Sequence, residues 1–178
     1  MSMWKSSQGL RGSLLETMIN ESNRKYEEHK LALVQKIPTP ITPVKMQGSK
    51  ITLAFFEQKS TVDYLGCVQG IPICFDAKEC NLKSFPLKNI HEHQLDFMKK
   101  LEEQNGVAFF IIYFKELDKI YYVPYKFIQE KWDLAKQGGK KSFNYQELDE
   151  TLILKQSQGI LVPYLDAIKI ILEREDTK

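Results

Sequence analysis

The sequence predicts an α/β (α+β) fold, a central mixed β-sheet with helices on its faces. Three observations carry that prediction. Apolar residues recur at helical spacing over residues 11–29, ahead of a series of strand-like segments. "VAFFIIYF", Val107–Phe114, is a nearly unbroken apolar run of aromatic and β-branched residues, the pattern of a strand covered on both faces. Helical patterns return after the fourth strand and close the chain, so both faces of a sheet have helices to cover them.

Taken in order, the elements begin with a polar, loose stretch over residues 1–9. In the first helix Leu14, Leu15, Met18, Ile19, Ser22 and Tyr26 form a stripe, and Glu16 and Asn20 lie off it. "LALVQK" is short enough for a strand, and "IPTPITP" cannot be helix interior, because its three prolines fix φ and remove donors. "SKITLAFFEQ" reads as another strand, so an extended arm or hairpin connects Lys36 to Asp63, with Lys45, Lys50 and Lys59 along it. Strands at 62–68 and 71–79 meet at a tight turn around Gln69-Gly70. A helix follows, with Pro86 near its start and Gly106 past its end; Ile90, Leu95 or the neighbouring Met98, Phe97 and Leu101 form its apolar side. "IYYVPY" returns as a strand, and short helices are expected near 126–137, 145–154 and 163–174. "KQGGKKS", carrying Lys140 and Lys141, reads as a flexible basic loop. No repeat or second-domain boundary interrupts this order, and 178 residues suit one domain, residues 1–178.

Composition narrows the function classes. A formal charge of +2 does not announce a nucleic-acid binder, so any basic surface must come from local clustering. Cys67, Cys74 and Cys80 are odd in number and lack CxxC spacing, which argues against a disulfide framework or a zinc site and for a reducing compartment. They are expected to be small buried apolar residues. The N-terminus has no apolar signal core and no run is long enough to span a bilayer, so a soluble, cytoplasmic protein without a membrane partner is expected.

The chemistry concentrates in "STVDYLGCVQGIPICFDAKE". Strand alternation sends Ile73, Phe75 and Ala77 to one face and Cys74, Asp76 and Lys78 to the other. If the neighbouring strands pair around Gly70, Asp63 converges on Asp76. Two carboxylates held together are costly unless a cation lies between them, and hard oxygen ligands suit Mg²⁺ or Mn²⁺ better than zinc. A lysine beside them adds a compact positive charge for a phosphoryl transition state. Asp-x(12)-Asp-x-Lys is therefore a set of parts for phosphodiester hydrolysis, although Asp-x-Lys alone is a trivial match.

"LRGSLLETMINESNRKYEEHKLALVQKIPTPI", "T-x-DY-x-G", "FDAKE", "SFPLKN-x-HEHQ" and the late "G-x-x-VPYLD" resemble, in order and over residues 9–170, the RecU family of bacterial Holliday junction resolvases. These are homodimeric nucleases of the PD-(D/E)xK, restriction-endonuclease-like fold. The resemblance implies Asp63 and Asp76 as metal ligands, with the Ala77 carbonyl and Glu16 as further ones, and Lys78 as the catalytic lysine. It implies a catalytic contact for Gln94 and phosphate binding by Arg11. It also implies that the β- and Pro-rich arm, about 39–58, is a projecting stalk, and that DNA is contacted along it and the basic loop, at Lys45, Lys50, Lys59, Lys88, Lys140 and Lys141. The implied activity is metal-dependent resolution of four-way and branched DNA by paired symmetric nicking, in recombination and repair. Other recombination proteins would be partners, in a bacterial nucleoid or a phage-infected cell. Two departures stand out. Asp76 occupies a position where the family usually has glutamate, and the chain begins almost at the motif, without a longer basic leader. Two alternatives follow: a junction-binding accessory whose site has drifted, and another branched-DNA or restriction-like nuclease on the same fold.

Blander readings stand beside these. His91 and His93 read as helix-start residues rather than ligands. Phe55 and Phe56 on the stalk read as packing residues rather than wedges, and Trp132 and Tyr121–Tyr125 read as core.

Overall fold

The computed structural model describes residues 13–38, 40–56, 61–175 and 177. Helix α1 (Leu14–Glu28) starts at Ser13, whose hydroxyl accepts from Glu16 N–H. Strands β1 (Ala32–Lys36), β2 (Ile41–Gln47), β3 (Lys50–Phe56), β4 (Tyr64–Val68) and β5 (Ile71–Cys80) follow. Then come a short β6 (Ser84–Pro86), α2 (Glu92–Glu102), β7 (Val107–Phe114), β8 (Lys119–Pro124), α3 (Tyr125–Lys136), a short β9 (Ser142–Asn144) and α4 (Tyr164–Glu175).

Five strands form one mixed sheet in the order β1-β4-β5-β7-β8. The β4–β5 hairpin turns through Gln69 and Gly70, both at positive φ, as the two-residue turn predicted there requires. β5 then crosses over through α2 to a parallel β7, and β7 pairs antiparallel with β8. Alternation along β5 and β7 divides the core in two. Ile73, Phe75, Phe109 and Ile111 face α1 and α4, with Leu15, Ile19, Tyr164 and Ile168. Cys74, Phe110 and Ile112 face α2 and α3, with Leu95, Met98 and Ile128. β7 is covered on both sides, as its unbroken apolar run predicts.

The stalk is a hairpin of β2 and β3, which among the described residues pair only with each other. Pro43 sits beside a register shift that leaves Val44 out of the ladder, the place in a hairpin that tolerates proline. Ile41, Val44, Met46, Ile51, Leu53 and Phe55 are all exposed on it.

Several expectations need correction. Leu14 is exposed and Asn23 buried, because the stripe of α1 is turned toward Tyr164 and Val162 of the opposite layer. Pro86 does not open α2; it ends β6, which pairs with β9, and caps a 3₁₀ turn at Leu87–Asn89, and α2 starts six residues later. The helix expected at 145–154 is instead two 3₁₀ turns, Tyr145–Glu147 and Glu150–Leu152, each opened by an Asn or Asp cap that favours a turn over helix propagation. Cys67 is exposed, on a β4 face left uncovered along with Leu33 and Leu65, whereas Cys74 and Cys80 are buried; all three are free thiols. Trp132 packs against the core yet stays partly exposed. No helix among the described residues is long and apolar enough to cross a membrane.

Candidate active site

The site is built where β4 begins and β5 continues past it. The last β4–β5 pair is Tyr64 with Phe75, so one step further in register brings Asp63 opposite Asp76. The backbone groups at this frayed edge have no ladder partner, and the two side chains supply one. Asp63 N–H donates to Asp76 Oδ1 at 2.7 Å. Ala77 N–H donates to Asp63 Oδ2 at 3.0 Å. Each carboxylate is thus fixed by one oxygen, with the second left to face the site. Because N–H and C=O of one strand residue point to the same neighbour, the Ala77 carbonyl opens on this same edge.

Asp76 is fully buried. Its Oδ2 accepts no hydrogen bond, and Lys78 Nζ stands 3.1 Å from it. Asp63 is held above the usual carboxylate range, chiefly by burial, then by the Asp76 charge and more weakly by Glu16. Lys78 and the Ala77 N–H oppose the shift without cancelling it. A buried carboxylate oxygen lacking a hydrogen bond, beside a second carboxylate resisting ionisation, is a donor pair that a hard divalent cation would relieve. Among the described residues no three His, Cys, Asp or Glu side chains gather as a ready-made metal cluster. The residues that fit a cation are therefore the Asp63–Asp76 pair and the Ala77 carbonyl.

Glu16 lies in the first turn of α1, where its Oε2 accepts from Lys36 Nζ at 2.7 Å. Lys36 closes β1 opposite Tyr64, and Ile37 N–H donates to the Asp63 carbonyl at 2.8 Å. Glu16 is thus held by Lys36 while its own charge reaches Asp63. The "QKIPTPI" segment contained this lysine, but only the packing of α1 against β1 reveals its partner Glu16. Glu79, likewise missed, accepts from Leu15 N–H at 3.0 Å and pairs with Lys115. Burial alone would raise its pKa, but the Lys115, Leu15 and Ser13 donors hold it below the usual range. It ties the first turn of α1 to the β5 strand and so fixes where Glu16 stands.

Gln94 is buried in the first turn of α2, and its Oε1 accepts from His91 N–H at 3.0 Å. Its carbonyl oxygen thus caps the helix, leaving the amide nitrogen to reach elsewhere. The His91 and His93 rings stack on one another, with centroids 5.4 Å apart. Cys74, on the same face as Asp76, has its thiol pushed up to about 12 by burial and then by Asp76, so it is no nucleophile.

The expected DNA-contacting lysines separate into two groups. Lys45 and Lys50 are exposed on the β2–β3 hairpin. Lys88 and Lys141 are exposed neighbours, joined where Leu87 N–H donates to the Lys141 carbonyl, and Lys140 is exposed beside them. Arg11 and Lys59 lie outside the described residues.

Residues 10–170 match the RecU family, described as Recombination protein U. The chain belongs to the RecU family. Its RecU relatives include the Holliday junction resolvase RecU of Pediococcus pentosaceus, 41% identical over 93% of this chain and 86% of that protein. The Holliday junction resolvase RecU of Leuconostoc mesenteroides is 42% identical over 93% of this chain and 83% of its own length. An archaeal Holliday junction resolvase, Hjc of Archaeoglobus fulgidus, superposes with a TM-score of 0.43 at 7% identity, covering 77% of this chain and 89% of that one.

Proposed function

We propose that this RecU-family chain is a metal-dependent, structure-selective endonuclease that resolves four-way DNA junctions by paired symmetric nicking, leaving 5′-phosphate and 3′-hydroxyl ends. The observation that carries the reading is the buried Asp63–Asp76 pair with Lys78 3.1 Å from an Asp76 oxygen that takes no hydrogen bond, in a chain whose relatives are named Holliday junction resolvases. Asp63, Asp76 and the Ala77 carbonyl would hold Mg²⁺ or Mn²⁺. Such an ion supplies Lewis acidity at the scissile phosphate and a more acidic water.

The chain's own residues have separate tasks. Lys78 places a compact positive charge against the negative charge that builds up on the phosphoryl oxygens. Lys36 holds Glu16 beside the aspartates and offsets part of the local acidity. The Gln94 amide orients a water or phosphate oxygen. The β2–β3 hairpin, with exposed Lys45 and Lys50 and a row of exposed apolar side chains, enters the open centre of the junction. A two-fold dimer places one site on each of two opposing strands. Shape and phosphate contacts then set selectivity, so affinity falls steeply with salt.

The test is cleavage of a labelled mobile four-way junction in Mg²⁺ or Mn²⁺, wild type beside Asp63→Ala, with a matched linear duplex. Paired symmetric nicks at the junction, absent from the variant and from the duplex, are expected. Tight junction binding without cleavage in either metal would refute the enzyme and leave a junction-binding accessory. Equal cutting of the duplex would point to another nuclease on this fold.

A further inference from the structure

Away from the carboxylates, a shallow groove of about 230 Å³ lies between the 3₁₀ turn at Leu87–Asn89 and α3. Leu87, Trp132 and Ala135 form its apolar floor, and the stems of Lys88, Lys136 and Lys141 form its rim. It is smaller than an ordinary small-molecule pocket of roughly 300–1,000 Å³. Among the described residues no acid lines it, although Glu92, Asp133 and Asp96 act on the Lys136 ammonium from outside it. Lys88 and Lys141 enter no ion pair among the described residues, and Lys136 pairs with exposed Glu92 on α2. Lys136 Nζ also stands over the indole, 6.0 Å from the ring. An exposed pair of this kind is worth little, so Lys136 is readily drawn to a stronger anion.

The groove shares a side of the sheet with the site. Its floor packs on the same core layer as Cys74, whose side chain lies on the Asp76–Lys78 face of β5. The segment that leaves β5 reaches the groove through β6 and continues into α2, where Gln94 sits. A flat apolar floor with an aromatic ring and three cations on its rim is complementary to one nucleobase and its flanking phosphates. An acidic peptide would satisfy the cations but has no planar group for the indole.

We propose that this groove seats one unpaired nucleobase of the DNA substrate against Trp132, with the adjoining phosphates on Lys88, Lys136 and Lys141. The inference rests on the nuclease reading and adds to it a contact for a nucleotide outside the duplex arms. It also explains why Trp132, which the sequence assigns to the core, keeps an exposed edge among lysines.

The chain has two tryptophans, Trp4 and Trp132, so Trp4→Phe leaves Trp132 as the sole reporter. That variant would be titrated with a twelve-residue oligo-dT in EDTA, with a matched duplex and a twelve-residue poly-Glu peptide as comparisons. Saturable quenching by oligo-dT, and little by duplex or peptide, is expected. Labelled oligo-dT should bind Trp132→Ala about 5- to 150-fold more weakly, with much of the loss restored in Trp132→Phe. Lys88→Ala and Lys141→Ala should each lower the salt slope by roughly 0.7. Thermal melts keep a folding failure of Trp132→Ala apart from lost stacking, and Trp132→Phe decides if that variant does not fold. The proposal is overturned by oligo-dT binding with unchanged Trp132 emission, by wild-type affinity in Trp132→Ala, by no oligo-dT binding, or by stronger quenching with poly-Glu. The assay needs no cleavage. Junction nicking without quenching removes the groove alone, and quenching without nicking removes the nuclease reading alone.

Discussion

Replacing Asp63 by asparagine should stabilise the protein without metal and abolish its stabilisation by metal. Asp63 is a carboxylate whose ionisation the surroundings resist, through burial and through Asp76 and Glu16, against Lys78 and one backbone donor. Asparagine keeps an oxygen for Ala77 N–H, now 3.0 Å from Asp63 Oδ2, and its amide adds a donor beside the Asp76 carboxylate. Removing the charge should therefore contribute about 0.5–2 kcal/mol, the usual size of a gain from relieving a strained functional group. For a chain this size, about 1 kcal/mol corresponds to roughly 2–4 °C in Tm. The pH dependence has a definite sign. A carboxyl whose folded pKa is raised contributes stability below its unfolded pKa and loses it as pH rises through the folded value. The advantage of Asp63→Asn should thus be nearly absent near pH 4 and grow toward neutrality. Mn²⁺ at about 100 times its Kd should add about 2.7 kcal/mol to wild type, or about 5–11 °C, and almost nothing to the variant. Calorimetric melts of both proteins with and without Mn²⁺, from pH 4 to 7.5, are the assay. If the metal-free variant melts well below wild type, the carboxylate pair is structural cement. If Mn²⁺ stabilises both equally, the ion binds elsewhere.

The remaining predictions follow from neighbouring contacts. A Cβ on Gly66 would lie 2.4 Å from the Leu33 carbonyl and 2.8 Å from Val34 Cα; Gly66→Ala should cost about 1–3 kcal/mol in denaturant melts by forcing β1 off β4. Lys36→Ala should lower the rate of junction nicking at least tenfold while moving Tm by less than about 2 °C, because its partner Glu16 is partly exposed; unchanged nicking would show that the pair is incidental. Glu79→Gln should lose part of its stability increment, and that increment in wild type should fade as pH drops through the folded pKa of Glu79, which lies below the usual carboxylate range. Tyr164→Phe removes a buried 2.6 Å hydrogen bond to Asn23 Oδ1 and should cost about 1–3 kcal/mol in the same melts, without changing nicking at saturating junction.

The parts that were legible in the sequence are those governed by local rules. The unbroken run of β7 and the Gln69-Gly70 turn are each fixed by residues within a few positions of one another. So is the alternation that sets Asp76 and Lys78 on one face of β5. The convergence of Asp63 on Asp76 was also legible, because a two-residue turn leaves a hairpin only one register. The misread segments obey longer-range demands. Asn144 and Asp149 cap 3₁₀ turns where a short helix was expected, and the strand pairing of β6 with β9 joins residues some sixty positions apart, with no local signature.

The same distinction explains why Lys36 and Glu79 escaped notice although Lys78 did not. Lys78 shares a strand with the aspartate it serves, so alternation alone places it. Lys36 acts across β1 onto a helix twenty residues earlier, and Glu79 acts from β5 onto the first turn of that helix. Glu79 lies on the face of β5 opposite Asp76 and Lys78, which turns it toward α1. One strand thus carries the charged pair on one side and the anchor for the helical acid on the other. That arrangement makes the position of Glu16 depend on β5 twice, through Glu79 directly and through β4 and β1 by way of Lys36. A substitution that loosens β5 should therefore disturb all three acids together, whereas one at Lys36 or Glu79 should move Glu16 alone.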